Sequence, residues 1–141
     1  MSFRLLVLGF LIAVGTSSAI AHHSYVIYDT DMLKEVSGTV ISWQYRSPHP
    51  ELVVEVGVPG TEEQEPVTEL WKFEGISIFR WRQLQAPTDI AFEGEEVSVK
   101  GWPAKNGDHS MLLSGITRES GEYIEILDRV LQGEAGRIFS D

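Results

Sequence analysis

Along most of this chain apolar and polar positions alternate in short runs, set apart by Gly, Pro and acidic punctuation. From Glu35 to Tyr45, Val36, Gly38 and Val40 share one face, and Ile41, Trp43 and Tyr45 then take the other. A period of two predicts a strand. The change of phase at Val40-Ile41 predicts a bulge or strong bend, eased by Gly38. Arg46 to Glu51 reads as a turn, because Pro48 and Pro50 cannot donate to a ladder and push their predecessors toward extended conformations. Leu52, Val54 and Val56 alternate as a second strand, Gly57 to Pro66 forms an acidic loop, and Glu69 to Glu74 is a third strand with Trp71 and Phe73 on one face.

The period then changes. Ser77 can cap a short helix running to about Gln85, with Ile78, Trp81 and Leu84 on one side and Pro87 beyond its end. A fourth strand is expected at Glu95–Trp102, a turn at Pro103–Asp108, and a fifth strand at Ser110–Thr117. Glu122–Ile126 is expected to pair with the fifth across Arg118–Gly121. Three strands, a short helix, then two or three strands is the order of an all-β, OB-like small closed barrel, in which one long bent strand serves both halves. A split α+β sandwich is the rival arrangement. The barrel is expected to span residues 35–127, after an extended N-terminal arm (22–34) and before a C-terminal tail (128–141).

One run does not alternate. Leu5 to Val14 is apolar, follows Arg4, and leads to Ala19-Ile20-Ala21, the small-x-small pattern of a secretory cleavage site. The run is about half the roughly 20 residues a membrane-spanning helix needs. Residues 1–21 therefore read as a signal peptide, with a retained anchor as the alternative, and the mature protein is expected in the periplasm with no membrane span. Cleavage would remove Arg4 and no acid, so the 11 Lys and Arg fall to 10 against 21 Asp and Glu, a formal net of −11. Such a surface repels phosphate backbones, which argues against nucleic acid as a partner. With no cysteine, neither a disulfide nor a thiolate metal site is available.

The candidate chemistry lies in four histidines. Cleavage after Ala21 would give His22 a free α-amine beside its imidazole, and His23 would follow with a second ring. An α-amine titrates near pH 7.7–8.0, about where it can deprotonate cheaply for a metal. Nitrogen-rich sets suit Cu(II), so copper or another divalent ion is the candidate cofactor. The arrangement resembles the histidine brace of copper proteins, which needs a further imidazole from the fold. His49 in the first turn is the leading candidate and His109 the second. Asp29 could orient an imidazole from behind. Exposed arm and turn residues are the ordinary reading of the same histidines. Trp43, Trp71, Trp81 and Trp102 read mainly as core, with Trp102, before Pro103, the best candidate for an exposed ligand face. Asp108-His109-Ser110 and His22-His23-Ser24 lack a nucleophile elbow, so hydrolase chemistry is not expected. Three readings result: a non-catalytic metal-binding domain, a metal-free module for a periplasmic protein or small ligand, and a copper-dependent redox enzyme.

Ala21-His22-His23-Ser24, Asp29, Gly38-Thr39-Val40, Ser47-Pro48-His49, Trp71 with Glu74-Gly75, and Val99, Gly101, Pro103-Ala104 and Gly107 form a further pattern. It resembles a family of small secreted proteins of Gram-negative bacteria, a domain of unknown function with an Ala-His-His-Ser start and an Asn-Pro-His turn. The likeness spans about residues 21–126. Ser47 stands where the family usually has Asn, and the helix lacks the usual Ser-Pro start. The resemblance implies a secreted single domain and carries no activity.

Overall fold

The computed structural model describes residues 25–127. A single 3-10 turn (Tyr25–Ile27) precedes strands β1 (Lys34–Gln44), β2 (Glu51–Val58) and β3 (Val67–Glu74), helix α1 (Ile78–Gln83), and strands β4 (Glu96–Pro103), β5 (Ser110–Thr117) and β6 (Tyr123–Glu125). The strand order is β3-β2-β1-β4-β5-β6, and β3 also pairs with β5. That last pairing is parallel, joins Lys72–Glu74 to Ser110–Leu112, and closes the sheet into a barrel. Closure through β1 and through β3–β5, with the helix between β3 and β4, is the OB topology. The sandwich alternative requires two separate sheets and is ruled out by this closure.

β1 serves both halves as expected. Its first part pairs with β4 from Lys34 to Thr39, and its second with β2 from Thr39 to Gln44. The register shifts between Val40 and Ser42, where the hydrophobic phase changes in the sequence. An inserted residue lets a strand bend and send successive side chains to a new face. Gly38 sits at the closest approach: a Cβ there would fall on the Glu55 carbonyl oxygen and 2.9 Å from Val54 Cγ1.

Leu52, Val54, Phe73, Trp81, Val99, Leu112 and Ile116 are fully buried and fill the barrel. The Ser77 hydroxyl accepts from the Arg80 amide at 3.3 Å and caps α1, as its sequence predicts. Of the three residues expected on the packed side, only Trp81 reaches the core; Leu84 is 37% exposed, because the helix ends at Gln83 and Leu84 is its C-cap. Trp102 is a correction. It is only 4% exposed, since β4 continues through Pro103 and Trp102 pairs with Leu112 inside the barrel, so it is core and no part of an open face. The described part of the arm is likewise not fully extended. Tyr28 is buried and bridges to Ala104, Asp29 N donates to Pro103 O at 2.8 Å, and Lys105 N donates to Ile27 O at 2.8 Å. The arm is therefore strapped onto the β4–β5 turn. The expected tail lies outside the described residues.

Near the start of β4, Arg118 grips Glu95 with two hydrogen bonds (2.8 and 3.2 Å) while its guanidinium stacks on Phe92. The Arg118 hydrogen bond holds the Glu95 carboxyl below the usual carboxylate range, against partial burial that works the other way. A depressed folded-state carboxylate contributes stability at neutral pH and loses it as pH falls below about 5. Glu95→Gln is therefore expected to be less stable than wild type in urea at pH 7, with the gap closing toward pH 3. A gap that stays constant across that range would show that the ion pair does not stabilise the fold.

Candidate functional site

The two loops that flank the β2–β3 face of an OB barrel are the β1–β2 and β4–β5 loops. The structure places one described histidine on each. His49 stands in the β1–β2 loop between Pro48 and Pro50, after a cis Ser47–Pro48 peptide bond. The loop is anchored to the end of β3 and the start of α1: Gly75 N donates to Pro50 O at 2.8 Å and Ile78 N to Pro48 O at 3.0 Å.

These anchors bring the His49 Nδ1 to 3.0 Å from the Gly75 carbonyl and 3.1 Å from Glu74 Oε1. Both neighbours are acceptors, so Nδ1 carries a hydrogen, and in the neutral imidazole Nε2 is then the acceptor nitrogen. A carbonyl and a carboxylate behind one ring nitrogen is the arrangement that fixes tautomer and direction in metal-ligating histidines. Glu74 is itself held: the Tyr28 hydroxyl donates to its other oxygen at 2.9 Å. Burial, then the negative charge of Glu74, push the Tyr28 phenol well above its ordinary range, so Tyr28 stays protonated and remains a donor. The Tyr25 ring lies 6.1 Å from the His49 ring, and its hydroxyl accepts from Ser77 N at 3.2 Å. Burial likewise raises the Tyr25 phenol. His49 is one wall of a cleft of about 440 Å³ that also involves Arg46, Glu51, Lys72 and Glu74.

His109 occupies the other loop and a different environment. Its ring stacks on Trp71 (4.8 Å between centroids, 13° between planes), and its Nε2 lies 3.5 Å from Glu69 Oε2. The Trp71 indole donates to the same oxygen at 3.2 Å. His109 therefore meets β3 before Lys72, and His49 meets it after Lys72. Trp71 and Glu74 are separated by about 10 Å of strand at 3.4 Å per residue. The contacts of His109 hold it on the Trp71 side of β3, so the two candidates for the fold-supplied imidazole, His49 and His109, lie at different places along the strand. Asp29 is expected behind an imidazole of the N-terminal pair, which lies outside the described residues. Its carboxylate accepts from Asp31 N at 3.2 Å in a local turn and touches neither described histidine; the carboxylate behind His49 is Glu74. His22 and His23 lie outside the described residues. Among the described residues, no three His, Asp or Glu side chains form a metal-holding group.

Glu74, Tyr25 and Tyr28 are the site residues that sequence reasoning missed. Glu74 looked like the polar end of a strand, and nothing local links it to a histidine two elements earlier. A faint signal existed in Glu74-Gly75, where a glycine follows an outward carboxylate and allows Pro50 to approach.

A family model described as "Family of unknown function (DUF6152)" matches residues 10–113. No curated protein matches the chain. Among solved structures, the chain is similar to the crystal structure of the mitochondrial single-stranded DNA binding protein Rim1 from S. cerevisiae. The TM-score is 0.43 at 12% identity, over 62% of this chain and 93% of that one. Among the described residues, no helix is long and apolar enough to cross a membrane.

Proposed function

We propose, for a chain that belongs to the DUF6152 family of unknown function, the role of a secreted, periplasmic, non-catalytic OB barrel that binds a divalent metal ion, copper foremost. Cleavage after Ala21 frees the His22 amine; that amine, the His22 and His23 imidazoles and His49 Nε2 are the ligand set. The observation that carries this reading is the state of His49. Its Nδ1 is engaged by Glu74 and Gly75, which in the neutral ring makes Nε2 the nitrogen with a lone pair to offer, and the Tyr25 ring packs beside it. Tyr25, whose ring packs beside His49, follows His23 by only two residues in the sequence, which supports the reading. The strongly acidic surface adds an attractive field for a cation and works against nucleic acid.

The test uses the mature protein beginning at His22, titrated with Cu(II) and followed by calorimetry and electron paramagnetic resonance. One copper with nitrogen hyperfine structure is expected. A single alanine added ahead of His22 removes the amine from the chelate and is expected to weaken binding about 100-fold. His49→Ala is expected to weaken it by about 10–100-fold and Glu74→Gln by about tenfold, the range typical when a ligand's support is lost. Equal, weak binding by all four proteins would exclude the chelate.

A further inference from the structure

A separate feature lies at the other loop. Among the described residues, β3 pairs with β5 only from Lys72 onward, so Val67 to Trp71 extend beyond that pairing with β2 on one side only. Lys72 N donates to His109 O at 2.9 Å, which shows that the even-numbered peptides of β3 turn away from β2. In an antiparallel ladder this direction alternates residue by residue. The amide and carbonyl groups of Thr68 and Leu70 therefore form an open strand edge. Natural sheets blunt such edges with proline, lysine or a bulge. None interrupts Val67–Trp71, and Val67 and Leu70 are 56% and 60% exposed.

Beside this edge the β4–β5 loop borders a shallow groove that includes Leu70, Lys72, Asp108 and His109, with the Lys72 ammonium drawn away to Glu51 at 3.2 Å. Asp108 is held in place by Asn106, whose amide donates to its carboxylate at 2.6 Å and whose carbonyl accepts its backbone N–H at 3.1 Å. The Trp71–His109 stack, with Glu69 Oε2 accepting from the Trp71 indole and lying 3.5 Å from His109 Nε2, supplies an aromatic platform with carboxylates beside it. A flat platform next to carboxylates fits a guanidinium, which stacks and pairs at once. An open strand edge fits an extended main chain.

We infer that the groove between the Thr68–Trp71 edge and the β4–β5 loop binds an extended, arginine-bearing segment of a partner polypeptide by strand addition. The peptide main chain bonds to Thr68 and Leu70, an arginine lies on the outer face of the His109 ring that stacks on Trp71, and Asp108 and Glu69 neutralise it. The formal charge of −10 favours a basic partner and disfavours a second copy of the chain.

The probe is the peptide acetyl-Thr-Val-Arg-Val-Arg-Val-Thr-amide, added to the full mature protein in EDTA so that the metal site plays no part. Amide hydrogen exchange resolved by NMR is expected to slow about tenfold at Thr68 and Leu70 and to stay unchanged in the barrel core. Asp108→Lys is expected to weaken peptide binding about tenfold, and His109→Ala to weaken the arginine peptide while leaving the fold intact. Equal binding of the same peptide with glutamate in place of arginine would overturn the proposal. So would peptide-free protection of both amides together with a dimer in sedimentation, which would assign the edge to a second copy. Shifts at these amides produced only by a thymidine oligonucleotide would overturn it as well.

Discussion

Trp81→Ala is expected to lower the unfolding free energy by about 4 kcal/mol, within the range for a fully buried aromatic truncated to alanine. For a domain of this size that corresponds to a fall in Tm of about 20 °C. Trp81 is fully buried, its ring lies 5.7 Å from that of Trp43 and 6.0 Å from that of Tyr45, and its indole donates to Pro87 O at 3.0 Å. The substitution opens a cavity and leaves the Pro87 carbonyl without its partner. The effect should also reach the site. Trp81 packs against Gly75, whose amide holds Pro50 and whose carbonyl holds His49. Guanidinium denaturation followed by circular dichroism measures the first effect, and copper titration of the still-folded variant the second. A loss below about 1 kcal/mol, the size of an ordinary surface change, would mean that Trp81 does not close the helix end of the barrel.

Gly38→Ala is the second substitution with a large expected effect, about 3 kcal/mol, at the upper end of overpacking costs. The added methyl would overlap the Glu55 carbonyl oxygen and press on Val54 Cγ1. A flexible side chain could swing aside, but here the obstacle is the Glu55 backbone, which pairs with Thr39 where the β1–β2 ladder begins. Relief requires separating β1 from β2 at the bend that lets β1 serve both halves. The same unfolding titration, with Gly57→Ala as a control at a position with open space around it, tests this. Equal stability of the two variants would show that the close approach is not a constraint.

Much of the architecture was legible because it follows from local rules. The alternation of Val36–Tyr45, with its phase change at Val40-Ile41, marked both β1 and the bulge. Ser77 announced the helix start, and Ser110–Thr117 was bounded correctly at both ends. The errors occurred where a long-range partner overrides a local pattern. Trp102 looked exposed because it precedes a proline at a turn, but that proline is the last residue of β4 and the indole faces the barrel interior. Leu84 had helical spacing, but α1 stops too early for that spacing to matter.

The site divides along the same line. The order of strands and helix, the glycine at the bend of β1, the acidic composition and the set of four histidines follow from residue type and spacing, because these properties act over a few neighbours or over the whole charge. The pairing of His49 with Glu74, the Tyr28 hydroxyl behind that carboxylate, the stacking of His109 on Trp71 and the open edge at Thr68 and Leu70 arose only with barrel closure. Each joins residues from different elements. Their distance and direction are set by the β3–β5 register and the anchoring of the β1–β2 loop, and a one-residue slip in either would turn these side chains to another face.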